Sequence, residues 1–279
     1  MSTPHAYGSN DTQWIEQEQN AVQHRMEQIR HKILVLSGKG GVGKSSVAAN
    51  IAVGLAMRGL KTGLVDIDIH GPSIPKILGL EGMMPEQDGE SLLPVGYDGL
   101  LSVMSVGFLL QDRNNALIWR APLKHGVIKQ FLGDVAWGPR DWLVVDCPPG
   151  TGDEPISIVQ LLKNPDGAII VTTPQDVALE DVRKSITFCR EVSIPLIGLV
   201  ENMSGFACPH CGTVVNIFKK GGGEALAAEM QIPFLGSIPL DAAVAASGDS
   251  GEPVVQHAAE SPSGKAFSEL VDTIVRKVS

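Results

Sequence analysis

The sequence predicts an α/β fold, a mostly parallel sheet flanked by helices on both faces, and three observations carry that prediction. Short, almost continuously apolar runs recur along the chain, as they do in strands buried on both faces. Helical patterns separate these runs and give the β-α-β rhythm of parallel strands. The first run, Ile33-Leu34-Val35-Leu36, feeds a glycine-rich loop that opens into a helical pattern from Val47 to Met57. A strand, a glycine loop and a helix in that order form a phosphate cradle.

Residues 1–30 are polar and rich in Gln, and they are expected to form a flexible start followed by a helix lined by Trp14, Ile15, Val22, Met26 and Ile29. This extension is set apart from a single P-loop domain over 31–279. Within that domain, strands are expected at 61–66, 142–146, 167–172, 196–200 and 234–238, with helices at 155–163, 177–190 and 221–230. Two apolar runs, 91–95 and 100–106, flank the turn signal Tyr97-Asp98-Gly99 and read as a hairpin or an extension of the sheet. After Ser261-Pro262-Ser263-Gly264, the residues Ala266, Phe267, Leu270, Val271, Ile274, Val275 and Val278 recur at helical spacing. Glu269 and Asp272 offset the lysines and arginine of that helix, so its polar face lacks the basic character an anionic membrane selects.

At 279 residues and 43% hydrophobic, the chain can bury the core of one large domain. A net charge of -9 argues against nucleic acid as the main partner. No apolar run reaches the roughly 18 residues a membrane span needs. The polar, acidic N-terminus has the features of neither a signal nor a transit peptide, so a cytoplasmic protein is expected.

Gly38-Lys39-Gly40-Gly41-Val42-Gly43-Lys44-Ser45 matches G-x-x-x-x-G-K-[ST], and Ser46 continues it into the helix. Without side chains at Gly40, Gly41 and Gly43 the backbone N–H groups can close around an oxyanion at the positive end of the helix. Lys44 is placed to reach the β- and γ-phosphates and Ser45 to ligate Mg²⁺. Gly38, Gly40 and Gly43, with Asp66 further on, also satisfy a dinucleotide fingerprint, but a dinucleotide has no use for the Lys44-Ser45 pair.

Ligands of open α/β sheets lie at the carboxyl ends of the strands. There the second strand ends in Asp66-Ile67-Asp68-Ile69-His70 and the third in Asp146-Cys147-Pro148-Pro149-Gly150. Asp146 fits a carboxylate that holds a water on Mg²⁺. Either Asp66 or Asp68 is placed to orient the attacking water, with the other near the metal; Asp68 is taken as the catalytic candidate and Asp66 as the metal neighbour. The Gly150 N–H is placed to sense a γ-phosphate. His70 reads as a solvated loop histidine. Cys147 and Cys189 read as buried structural thiols, while Cys208-Pro209-His210-Cys211 is a close pair.

Lys39 to Ser45, with its second lysine early in the loop, resembles the deviant Walker A of the MinD, ParA and nitrogenase iron protein class. Asp66-x-Asp68-x-His70-Gly71-Pro72-Ser73, the Asp146 to Asp153 stretch, and Glu201-Asn202-Met203-Ser204 ahead of Cys208-Pro209-His210-Cys211 narrow the resemblance to the Mrp/ApbC family of iron-sulfur cluster carriers. It extends over about residues 32–278. The resemblance implies an ATP-binding homodimer in which Lys39 reaches the partner's phosphates, so that hydrolysis is slow and depends on dimerisation. It also implies that Asn202 contacts the adenine, that Pro239-Leu240-Asp241 lines the base, and that Cys208 and Cys211 ligate a [4Fe-4S] cluster passed to apo-proteins.

A cubane cluster needs four thiolates, and a two-fold dimer brings two such pairs together. A zinc shared between chains fits the same spacing, since no second pair completes a zinc site within one chain. Residues 1–31 lack cysteine and are too short for an accessory domain, so separate assembly factors are expected. The rival reading is a MinD/ParA-like positioning or partitioning ATPase with structural zinc at the cysteine pair. A cluster-bearing reductase is a third.

Overall fold

Strand β1 (Ile29–Ser37) lies at the centre of the sheet, with β7 (Arg140–Asp146) on one side and β8 (Gly167–Thr172) on the other. This computed structural model describes residues 22–69, 71–89, 91–109, 121–207, 211 and 213–279. Strands β2 (Thr62–Asp66), β6 (Leu101–Ser105), β9 (Leu196–Glu201) and β12 (Phe234–Ser237) complete the parallel part, and β5 (Val95–Gly96) adds antiparallel to β6. The order is β12-β9-β8-β1-β7-β2-β6-β5. Every residue of β2 and of β8 is buried, so both faces of the sheet are covered. Both edges are short: β5 has two residues, and β12 has four with a register shift against β9.

The chain runs from β1 to one side of it and returns later on the other. The crevice at the carboxyl end of β1 is therefore the switch point where such sheets bind ligands. Helix α1, described over residues 22–27, precedes β1. Helix α2 (Lys44–Met57) packs on β7 and β2 and is covered in turn by α9 (Val254–His257) and α10 (Pro262–Val278), which explains why almost all of its positions are buried. Helix α6 (Asp176–Glu191) lies against β8 and β1, with α7 (Gly222–Glu229) beside it, and α4 (Ala121–Gly133) packs against α5 (Asp153–Leu162).

Ser261 caps α10 by accepting from the Gly264 N–H, and Pro262 fills a first-turn position whose missing N–H costs nothing. Phe267, Leu270, Val271 and Ile274 are buried, worth about 1.5–3 kcal/mol each. The fit to α2 is close enough that a Cβ on Gly54 would meet Val271 Cγ2 at 2.7 Å.

Several elements differ from the sequence expectation. Ile29, expected on the N-terminal helix, opens β1 opposite Arg140, and Val22 and Met26 are buried in the core. The boundary placed after residue 30 thus falls inside a strand whose ladder with β7 outcompetes the helix. Trp14 and Ile15 lie outside the described residues. The hairpin forms around residues 97–99, but only from β5 and β6. Ser91–Leu93 instead pairs as β4 with the polar β3 (Glu86–Asp88), because Pro94 has no N–H to continue the ladder. Helices α3 (Ile74–Ile77), α4, α8 (Ala242–Ser250) and α9 were not anticipated. The sequence of α4 has Gly126 at its middle and weak apolar periodicity, and α8 is mostly Ala, Ser and Gly.

Candidate functional site

Gly41 and Gly43 adopt φ of 80° and 81°, the left-handed region that lets the loop turn back over the start of α2. Gly43 is the N-cap of α2 and offers no side chain, so the first N–H groups of the helix face the loop interior. Two neighbours enforce glycine here. A Cβ on Gly38 would lie 2.5 Å from the Asp181 backbone of α6, and one on Gly43 would lie 2.2 Å from Asn202 Nδ2. The loop encloses a cavity of 390 Å³ whose walls include Lys39, Gly40, Lys44, Ser45, Asp68 and Pro149.

Lys44 is buried, and its Nζ lies 2.5 Å from Asp146 Oδ1 and 3.4 Å from Asp68 Oδ2. Burial alone would lower its pKa, but the Asp146, Asp68 and Asp66 carboxylates more than offset this and hold it above the ordinary value. Burial pushes Asp146 above the usual carboxylate range, against the pull of Lys44 and a hydrogen bond from Ser45. Asp146 Oδ2, Asp68 Oδ1 and Ser37 Oγ are buried without partners. Orphaned oxygens beside an excess of carboxylate suit a hard divalent cation and its waters. Among the described residues no group of three or more His, Cys, Asp or Glu forms a ready-made cage. Ser45, Asp146 and Asp68 are oxygen donors of the kind that suits Mg²⁺.

Asp66 sits differently from its expected place near the metal. It is fully buried and occupied: Oδ1 accepts from the Asp68 N–H, and Oδ2 from the Ser105 hydroxyl at 2.8 Å and the Ile74 N–H at 3.4 Å. Burial and the Asp146 charge push its pKa up to about 7. It ties the 66–74 loop to β6 instead of pointing at the cavity. The Gly150 N–H is likewise engaged, donating to the Ser37 carbonyl at 2.8 Å. His70 lies outside the described residues.

A second cavity, 370 Å³, adjoins the first through Gly43, Ser46 and Ser73. Its walls include Ile77, Asn202, Met203, Pro239, Leu240 and Val244, with Lys76, Asp241 and Asp249 at its polar side, and this mostly apolar slot is the candidate base slot. Asn202 is 4% exposed and donates through Nδ2 to the Val42 carbonyl at 2.9 Å, so it bridges the base slot to the phosphate loop. Met203 holds φ of 57°, rare for a side chain of its size, at the turn where the slot begins.

Beyond Met203 the chain enters the short hairpin β10 (Phe206–Ala207) and β11 (Val214–Val215). Phe206 bridges to Leu240, and the Leu240 N–H donates to Gly205, so the hairpin stands on the wall of the base slot. Cys211 lies exposed between the strands, with Val214, Val215 and Ile217 exposed nearby. Cys208 lies outside the described residues. Cys147 and Cys189 are buried, and burial pushes both thiols far up, Cys189 to about 12.

Sequence reasoning missed Ser37 and Ser105, and it quoted Glu201 and Ser204 only as parts of a family motif, with no role. Ser105 closes the apolar run 100–106 on the sheet's carboxyl side, so its strand-end position was a usable signal. Glu201 offered a similar one, as the polar residue ending an apolar strand.

The family described as ParA, NUBPL iron-transfer P-loop NTPase, matches residues 28–275. A cytosolic Fe-S cluster assembly factor NUBP2 homolog from Monosiga brevicollis is 50% identical over 260 residues, covering 92% of each chain. An iron-sulfur cluster carrier protein from Methanocaldococcus jannaschii is 47% identical over 269 residues, covering 96% of this chain and 92% of its own. Among solved structures, a nucleotide-binding protein from Archaeoglobus fulgidus in complex with ADP superposes with a TM-score of 0.74 at 41% identity. That match covers 84% of this chain and 91% of the other.

Proposed function

The chain belongs to the NUBPL iron-transfer family of P-loop NTPases, and on that premise we propose that it binds MgATP and carries an iron-sulfur cluster for delivery to apo-proteins. The observation that carries the reading is the standing of the cysteine hairpin on the wall of the base slot, with Cys211 exposed at its turn. A cargo site with exposed thiolates suits a group that must be released, whereas buried ligands suit one that stays.

Adenine would occupy the slot between Asn202 and Pro239, and the phosphates the glycine loop from Gly38 to Ser46. Lys44, now held by Asp146 and Asp68, would exchange them for β- and γ-phosphate oxygens. Ser45 would ligate Mg²⁺, and Asp146 would hold one of its waters. The metal supplies charge neutralisation at the transferring phosphoryl group. Asp68, with one oxygen unpartnered, would orient the attacking water. Lys39 lines the cavity and is the residue for a partner's phosphates in a homodimer.

The cluster would be [4Fe-4S], held by Cys208 and Cys211 of two copies, because one chain has a single close pair. Hydrolysis would be slow and linked to transfer, with separate assembly factors loading the cluster. The relatives named cytosolic support a cytoplasmic setting. Among the described residues no helix is long and apolar enough to cross a membrane.

Anaerobic reconstitution with iron and sulfide, followed by visible absorbance, metal analysis, sizing and transfer to an apo-acceptor, tests the reading. The expected result is about four irons per dimer, lost when Cys208 and Cys211 are both changed to Ala. Colourless protein holding zinc would overturn the carrier role and favour a positioning ATPase with a structural zinc. Reduction of an acceptor without cluster loss would point to a reductase.

A further inference from the structure

Glu201 ends β9, is fully buried, and gathers three donors onto one carboxylate. Its Oε1 accepts from the Ser204 hydroxyl at 2.5 Å and the Gly221 N–H at 2.9 Å, and its Oε2 from the Gly223 N–H at 2.6 Å. Ser204 and Gly221 are the two ends of the segment 205–220, which contains both loop cysteines. One carboxylate therefore closes the cysteine segment at its entrance and its exit. The approach needs glycine: a Cβ on Gly223 would lie 3.1 Å from Glu201 Cβ, and Gly221 has φ of 82°.

The next residue, Asn202, reaches the other way. Successive side chains at a strand end point to opposite sides. Asn202 accordingly donates to Val42 of the phosphate loop while Glu201 holds the cysteine segment. Its own N–H is fixed by the Thr172 carbonyl at 2.7 Å, and the Ile238 N–H bonds the Glu201 carbonyl at 2.8 Å, so neither residue can turn alone.

We infer that Glu201 is the positioning residue that couples nucleotide occupancy to the cysteine segment, with Asn202 as its contact to the phosphate loop. A nucleotide that fixes Val42 and fills the slot fixes Asn202, and through the shared backbone Glu201 and both ends of the segment. Coupling of this kind is reciprocal, so a ligand on the cysteine segment tightens nucleotide binding by the same factor. The inference deepens the carrier reading and rests on it for the identity of that ligand.

The test uses the thiols of the cluster-free protein. Cys147 and Cys189 are buried, so a chromogenic disulfide reagent reports the 205–220 segment. We expect a non-hydrolysable ATP analogue with Mg²⁺ to slow modification of the wild type by about 5-fold or more. Glu201→Gln keeps the shape but presents an amide donor to groups that are themselves donors. It should bring the ratio near one while analogue affinity stays within about 2-fold of wild type, as coupling weaker than the usual range allows. Ser204→Ala, which removes one donor of three, should fall between and decides the matter if Glu201→Gln does not fold. An equal ratio in wild type and variants, or no effect of the analogue on the wild type, overturns the inference. A chain that never holds a cluster yet shows the graded ratios loses the carrier role and keeps the coupling. A chain that transfers clusters with ratios indifferent to Glu201 does the reverse.

Discussion

The phosphate loop and the cysteine hairpin, which meet at the base slot, are built on opposite terms. At the floor of the loop the charged groups are buried and sit within ion-pair distance of each other, as with Lys44 between Asp146 and Asp68, while the glycine rim at Gly40 and Gly41 is exposed. The hairpin has two-residue strands, an exposed cysteine at its turn and three exposed aliphatic side chains. The first arrangement anchors its charges on the sheet and on one another. The second leaves a site that opens cheaply, as regions with few buried contacts do.

The contrast predicts very different costs for removing key residues. Lys44→Ala should be the most damaging change. It leaves two buried carboxylates without their cation, costing about 3–5 kcal/mol of stability, and it should abolish hydrolysis; thermal melts and phosphate release measure both. Gly43→Ala should follow, since it combines an unfavourable φ, worth about 1–2 kcal/mol, with a collision against Asn202. Nucleotide affinity by calorimetry should drop by about 10-fold or more, a 1.4 kcal/mol loss in the loop geometry. Cys211→Ala should alter stability by no more than about 0.5 kcal/mol in denaturant and leave nucleotide affinity unchanged, yet lose the cluster. A large loss of stability there would erase the contrast.

A last, pH-dependent effect lies on the wall that joins the two regions. Asp241 caps α8 through the Ala243 N–H and bonds the hydroxyl and N–H of Ser263 on α10. Burial acts against its charge, but these donors prevail and hold its pKa below the ordinary 3.8. A depressed carboxylate contributes stability that is complete above the unfolded pKa and is lost as the pH falls through the folded one. Asp241→Ala should therefore cost about 1 kcal/mol at neutral pH and progressively less below pH 3.8. Urea midpoints at both ends of that range measure the difference.

What the sequence made legible follows the same division. The phosphate site is contiguous: a strand, a loop and a helix start within one stretch, so Gly38 to Ser46 could be read residue by residue. The strands around it were equally plain, because a run buried on both faces is apolar at every position. Asp66 and Asp68 could not be told apart because two carboxylates two residues apart look alike in sequence, and only Ser105, from a strand nearly forty residues on, shows which of them is occupied. The base slot is assembled from residues near 43, 73, 202 and 239, and no local pattern announces it. Asn202 and Pro239 came from family resemblance alone. Helix α8 was missed because its small residues bury almost nothing, only Ser247, and α4 because Gly126 interrupts a short apolar face of Val127, Ile128, Phe131 and Leu132.

The sheet ends in strands too short to template another chain: two residues at one edge, and four at the other with a shifted register. Edge-to-edge growth is thereby discouraged, and the homodimer proposed above would use the face bearing the phosphate loop and the hairpin instead. A two-fold contact on that face consumes the same surface on both copies and exposes no fresh one. In the proposed homodimer association would therefore stop at a pair, which would set a limit on polymer length even at concentrations where an open-edged sheet protein forms fibres.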